Sequence, residues 1–135
     1  MKLAIFDIDG TLTDSTQVDD QCMAATFTHF LGTKAACDWQ AVTHVTDPVI
    51  VKETAEHITG KPCSQSMYEE MKKYFLMLLQ SEAEVNPSRF LRVPNCLTFI
   101  NELKKEGVHI GLGTGSWKAS AEIKLTTAAI PFEGF

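Results

Sequence analysis

The chain has no long apolar run, no excess of basic charge and no close pair of cysteines. Each absence removes a class of protein. No stretch approaches the roughly 20 apolar residues that a membrane-spanning helix needs, and Met1 to Phe6 is too short, and too soon interrupted by acids, to serve as a secretory leader. The 12 Lys and Arg against 17 Asp and Glu leave a net charge of -5, which offers no basic footprint to a nucleic-acid backbone or an anionic bilayer. Cys22, Cys37, Cys63 and Cys96 are scattered without a C-x-x-C pair, so reduced thiols are expected rather than a disulfide framework. His29, His44, His57 and His109 form no close ligand pair for zinc. Gly111-Leu-Gly113-Thr-Gly115 matches neither the dinucleotide G-x-G-x-x-G spacing nor a Walker A loop. Repeats, low-complexity tracts and long charge runs are missing too. A cytoplasmic location is expected, with neither nucleic acid nor membrane as partner.

What remains is the composition of a folded protein, 44% hydrophobic over 135 residues, long enough for one ordinary domain or two small pieces. Leu3-Ala4-Ile5-Phe6 is a short apolar run bounded by Asp and Gly, the pattern of a strand buried on both faces of a parallel sheet. From about Asp19 to Leu31 the spacing of Met23, Phe27, Phe30 and Leu31 predicts a helix that stops at Gly32. Trp39, Val42 and Val45 suggest a short second helix. Asp47-Pro48 pairs an N-cap with a residue favoured at the first helical position, predicting a helix to about Thr59, before Gly60. Ser66-Met-Tyr-Glu69 resembles a capping box, opening a helix with an apolar stripe of Met67, Met71, Tyr74, Phe75, Leu78 and Leu79 that reads as core.

The pattern breaks at Asn86-Pro87-Ser88, after which Pro94 opens a helix predicted to stop at Gly107. Val108 to Leu112 reads as a second buried strand. It runs into Gly113-Thr114-Gly115-Ser116 and a helix from about Trp117 to Ala129. The simplest organisation is a βα core of residues 1–14 and 90–135, interrupted by a helical insertion of residues 15–89.

In open parallel α/β sheets ligands bind beyond the carboxyl ends of the strands, which is where Asp7-Ile8-Asp9-Gly10-Thr11 and Thr114-Gly115-Ser116 fall. A strand places residues i and i+2 on one side, so Asp7 and Asp9 can converge, and Gly10 permits the sharp turn that follows. Converging carboxylates repel unless a cation joins them, and Mg²⁺ is the economical candidate because it takes hard oxygen ligands and is commonly held by one or two carboxylates plus substrate phosphate. With the repulsion masked, one carboxylate can attack phosphorus and the other can do acid–base work. Thr114 supplies a hydroxyl donor, and Gly115 and Ser116 bring backbone N–H groups close to phosphate oxygens.

These residues carry a family resemblance. Asp-Ile-Asp-Gly-Thr at 7–11 resembles the first motif of the haloacid dehalogenase-like (HAD) phosphohydrolase superfamily, and Ile110-Gly-Leu-Gly-Thr114-Gly-Ser resembles its second, a strand ending in Thr or Ser. The resemblance is to the capped phosphatase type, typified by phosphoglycolate phosphatase and β-phosphoglucomutase. It implies an α/β fold with a partial Rossmannoid core of parallel strands and helices, carrying an inserted helical cap. It also implies Asp7 as nucleophile and metal ligand, Asp9 as general acid/base that also serves Mg²⁺, and Thr114, Gly115, Ser116, Gly10 and Thr11 around the phosphate. The substrate class implied is a small phosphorylated metabolite, hydrolysed through an aspartyl-phosphate.

The family's third motif, a charge-offsetting Lys, and its fourth, one or two metal-binding acids, have no clear match after Thr114, where the acids are Glu122 and Glu133. Lys118 is a weak candidate replacement for the Lys, and Lys124 is expected to be a solvated helix residue. Asp14 and Ser15 are expected to end the loop that leads to the insertion. The expected protein is therefore a C-terminally truncated phosphatase of doubtful activity, its incomplete core covered by a second copy or by swapped elements. A phosphomutase of the same family and a non-catalytic binding or assembly remnant are the alternatives. Asp9 argues against the family's dehalogenases and phosphonatases, which usually lack the second Asp, and the insertion argues against a receiver-like domain.

Overall fold

A computed structural model describes residues 1–32 and 40–135 of the chain. Two parallel strands, β1 (Lys2–Phe6) and β2 (Val108–Leu112), form the sheet, in a register that pairs Ala4 with Ile110 and Phe6 with Leu112. Between them in sequence lie α1 (Thr16–Leu31), α2 (Asp47–Thr59), α3 (Gln65–Val85) and α4 (Cys96–Lys105), and α5 (Lys118–Thr127) follows β2. Short 3-10 turns occupy Pro87–Phe90 and Phe132–Gly134. Among the described residues no helix is long and apolar enough to cross a membrane.

The apolar side chains divide into two clusters. One gathers Val18, Met23 and Phe27 of α1, Ile50, Val51 and Ala55 of α2, Met71, Phe75 and Leu79 of α3, with Phe90 and Trp117. The other gathers Ile8, Leu12, Ile100, Ala121, Leu125 and Ile130, with Phe6, Ile110 and Leu112 of the sheet packed against it. Only one face of the sheet is covered in this way. On the other, Leu3 and Ile5 stay 58% and 65% exposed, so β1 is not the strand buried on both faces that its unbroken apolar run predicts.

The helices differ from expectation mainly at their starts. The first begins at Thr16, not at Asp19. Ser64 rather than Ser66 caps α3, its hydroxyl accepting the Met67 N–H at 3.1 Å, and Gln65 Nε2 bonds Glu69 Oε1 at 2.8 Å. The second start fails because a serine already inside a helical turn has no free N–H three residues on to accept. Of the short helix suggested by Trp39, Val42 and Val45, Trp39 lies outside the described residues, and Val42 and Val45 lie among turns and bends. Asp47 stands at the head of α2, but the N-cap is Thr46 and the Asp47 side chain turns elsewhere. Finally, α5 ends at Thr127 in a Schellman stop: Ile130 N–H reaches Leu125 O at 2.8 Å and Ala129 N–H reaches Thr126 O at 3.0 Å, with Ala129 at φ 54°.

Candidate active site

Because β1 and β2 are parallel, their carboxyl ends lie side by side, and the loops leaving them open onto one cleft of about 330 Å³. Its lining includes Asp7 and Asp9 from the first loop and Thr114, Gly115 and Ser116 from the second. Helices α1 and α2 add Thr16, Asp19, Asp20, Asp47 and Ile50, with Val45 just ahead of α2. The sequence motifs thus meet in one place.

The two acids of the first loop are held very differently. Among the described residues the Asp7 carboxylate has no hydrogen-bond or ion-pair partner, and its residue is exposed to the cleft. Asp9 is gripped on both oxygens. Ser15 Oγ donates to Oδ1 at 2.6 Å, while Lys124 Nζ donates to Oδ2 at 2.7 Å, with Ser116 Oγ at 3.4 Å. Ser15 occupies the N-cap of α1 yet makes no cap bond; its hydroxyl lies 2.6 Å from both Asp9 Oδ1 and Thr13 Oγ1. A local propensity is given up here for a contact with the loop six residues earlier in the chain.

Lys124 is the largest departure from expectation. Instead of facing solvent it is completely buried, and it also lies 2.5 Å from Asp19 Oδ1 on α1. Burial alone pulls a lysine toward its neutral form, but Asp19 and Asp9 outweigh that and raise its pKa. Asp19 is shifted upward by its own burial, with Lys124 opposing and Asp9 adding to the rise. Lys118, the weak candidate, is 79% exposed and lies 3.8 Å from Glu122 on its own helix, away from the cleft. The signal that separates the two lysines is helical phase. Ser120, Ala121, Lys124 and Leu125 are the buried residues of α5, and Lys124 falls on that inward stripe while Lys118 does not.

Gly10 and Thr11, expected around the phosphate, are not among the residues that line the cleft. Gly10, at φ 78°, makes the turn, but its N–H donates to Thr13 O at 2.7 Å and Thr11 N–H donates to Ile8 O at 3.1 Å. Their donors close the loop on itself. Asp14 also lies off the cleft, its N–H bonded to Leu91 O at 2.7 Å. In the second loop Ser116 N–H donates to Thr114 Oγ1 at 3.1 Å. That bond uses an oxygen lone pair and leaves the hydroxyl proton of cleft-lining Thr114 free to donate. Gly115 N–H has no partner among the described residues.

For a metal, the donor set is small. Among the described residues no group of three or more His, Cys, Asp or Glu is arranged to hold an ion. The Asp7 carboxylate and the Asp9 main-chain carbonyl, which accepts no hydrogen bond among the described residues, are hard oxygens without partners. This suits an ion that keeps several waters and takes the rest of its shell from substrate.

The family model of the haloacid dehalogenase-like hydrolases matches residues 4–131. The chain belongs to that family. Its fold resembles a HAD hydrolase, family IA, variant 3 from Entamoeba histolytica HM-1:IMSS, at 20% identity and a TM-score of 0.67, over 100% of this chain and 58% of that one. A hydrolase from Pseudomonas syringae aligns at 16% identity and a TM-score of 0.74, over 98% of this chain and 58% of that one. At such identities the likeness is one of fold, and the chain spans 58% of the length of either structure. Comparison with curated proteins returns no match. Within this HAD-like fold the three cysteines described, Cys22, Cys63 and Cys96, are free thiols.

Proposed function

We propose that the protein is a Mg²⁺-dependent phosphomonoester hydrolase that works through an aspartyl-phosphate on a small phosphorylated metabolite. The observation that carries this reading is the contrast inside one cleft: Asp7 is unpartnered and faces the opening, while Asp9, two residues on, is held by Ser15 and Lys124. A nucleophile needs a free oxygen; an acid–base group needs a fixed one.

In this mechanism the substrate phosphate settles against the Thr114 hydroxyl and the Gly115 N–H, both directed at its oxygens. The Asp7 carboxylate and the Asp9 carbonyl would hold Mg²⁺, which when bound would neutralise charge between anionic nucleophile and anionic substrate. The phosphomonoester monoanion passes its proton to Asp9 on binding; an Asp7 oxygen then forms a bond to phosphorus, the phosphorus–ester oxygen bond breaks, and the departing alkoxide takes that proton from Asp9. Asp9 then takes a proton from water as the water oxygen attacks phosphorus, releasing inorganic phosphate and restoring Asp7. Lys124 offsets the negative charge gathered at Asp9 and Asp19, the role for which the sequence pattern shows no clear match. Helices α1, α2 and α3 act as the cap, and Val45, Ile50 and Asp20 on its cleft side meet the leaving group.

The test is to trap the intermediate. The chain is mixed with a phosphomonoester and Mg²⁺, quenched in acid and mapped by peptide mass spectrometry. One phosphoryl group on the peptide containing Asp7, absent from Asp7→Asn, is expected. A phosphoryl group on any other residue contradicts the assignment.

A further inference from the structure

The Thr114-Gly115-Ser116 turn has little to hold it from within: its one internal bond is Ser116 N–H to Thr114 Oγ1. Support comes from α2. Asp47 N–H donates to Gly115 O at 2.9 Å, and Asp47 Oδ2 accepts the Trp117 N–H at 2.8 Å, so one residue brackets the turn on both sides of Ser116. The approach is close. A Cβ on Gly115 would stand 2.4 Å from the Val45 carbonyl oxygen. Beyond the turn, Trp117 is fixed by its indole N–H, which donates to Tyr68 Oη at 2.9 Å, and by the Phe75 ring at 5.5 Å, both on α3.

Asp47 is 5% exposed. A buried carboxyl is costly to keep, and this one does not cap its own helix, so its contacts across to the turn are what it provides. Burial pushes its pKa up to about 7, opposed by the Trp117 N–H; Asp19 on α1 and Asp9 after β1 add to the rise, and Lys124 on α5 counters it. The groups nearest the other end of the bracket are Lys52 over the Tyr68 ring and Lys72 over the Trp117 ring.

We propose that Asp47 is a positioning residue for the phosphate-binding turn, setting the Thr114 hydroxyl and the Gly115 N–H toward substrate by holding Gly115 and Trp117 from the α2 side. This rests on the phosphatase reading for what the turn binds, but the grip itself does not. It ties the phosphate cradle to the placement of α2: movement of α2 away from the turn breaks both bonds together.

The test compares wild type with Asp47→Asn, which keeps an acceptor oxygen, and with Asp47→Leu and Asp47→Ala, which remove it while filling or emptying the space. Two quantities are read at a temperature where each protein is folded: amide hydrogen exchange across residues 114–117, and the affinity for inorganic phosphate with Mg²⁺ by calorimetry. In Asp47→Leu or Asp47→Ala, exchange at Trp117 is expected to quicken by about tenfold and phosphate to bind about tenfold more weakly, the worth of a hydrogen bond to a buried group. Asp47→Asn is expected to stay within about threefold of wild type on both. Native exchange and native affinity without the acceptor overturn the proposal, as does an Asp47→Asn protein as impaired as the others. If wild type holds its turn yet binds no phosphate, the phosphatase reading fails, and the exchange comparison alone decides the grip.

Discussion

Lys124 Nζ lies 2.7 Å from Asp9 Oδ2, with the lysine side chain fully buried and the aspartate 21% exposed. Asp19 closes on the same ammonium from α1. The pair joins the last helix to the first strand's loop, and it places a cation directly behind the acid that the proposed chemistry relies on.

Removing that cation leaves Asp9 and Asp19 facing each other without compensation. Lys124→Met is therefore expected to cost about 3–5 kcal/mol in urea unfolding at pH 7, with a smaller loss in acid, where carboxylates take up protons. Since the folded-state pKa of Lys124 is raised, its contribution is complete below the unfolded value of 10.5 and is lost only as pH rises through the folded value. An unfolding profile for wild type that weakens between pH 7 and 9 through this group is the contrary result.

Asp47 gives the opposite pH signature. Its folded pKa of about 7 stands above the model-compound value of 3.8, so its effect on stability is neutral below pH 4, turns unfavourable as pH rises toward 7, and is constant beyond. Asp47→Asn keeps the acceptor and loses the penalty. Its stability relative to wild type is expected to climb between pH 4 and 7 and to level off at a gain on the order of 2–4 kcal/mol. A difference that does not vary with pH, measured by thermal unfolding across that range, removes burial as the cause.

At Gly115 the constraint is steric. The atom that a Cβ would meet is the Val45 main-chain oxygen, which cannot swing aside as a side chain does. Gly115→Ala is expected to lose about 1–3 kcal/mol of stability and to weaken phosphate binding more than Gly60→Ala, whose Cβ meets nothing within 4 Å. Chemical denaturation and phosphate calorimetry of both variants check it; equal phosphate affinities contradict it.

The features legible in the sequence were those set by short-range pattern. The apolar run into Asp7-Ile8-Asp9-Gly10 and the second run into Thr114-Gly115-Ser116 located both strand ends, and the structure brings them to one cleft. The pairings that finish the site were not legible in short-range pattern: Lys124 lies 115 residues along the chain from Asp9, and Trp117 lies 70 from Asp47. Ser15 reads as the end of a loop and Asp47 as a helix N-cap, yet the side chain of the first turns to Asp9 and that of the second to Trp117. Lys124 reads as solvated because lysines on helices usually are, yet its phase with Ala121 and Leu125 puts it on the inward stripe. Gly10 and Thr11, which the family resemblance places around the phosphate, spend their N–H groups on closing their own loop. The exposed Leu3 and Ile5 reflect a further limit: an unbroken apolar run reports that a strand suits burial on both faces, not that both faces are covered here.

Ala129 offers a stability test apart from the cleft. It holds φ 54° at the end of α5, in the left-handed region that a glycine enters at less cost. Ala129→Gly is expected to stabilise the fold by about 1 kcal/mol in chemical denaturation, with no change in phosphate affinity. Destabilisation contradicts the Schellman reading of that stop.

The measurement that tests the central claim most directly is phosphate release from a panel of small phosphomonoesters by the 135-residue chain, with Mg²⁺, with chelator, and with Asp7→Asn. The account predicts release that requires Mg²⁺ and falls to the enzyme-free level in Asp7→Asn. Release by Asp7→Asn equal to that of the wild-type chain would contradict it.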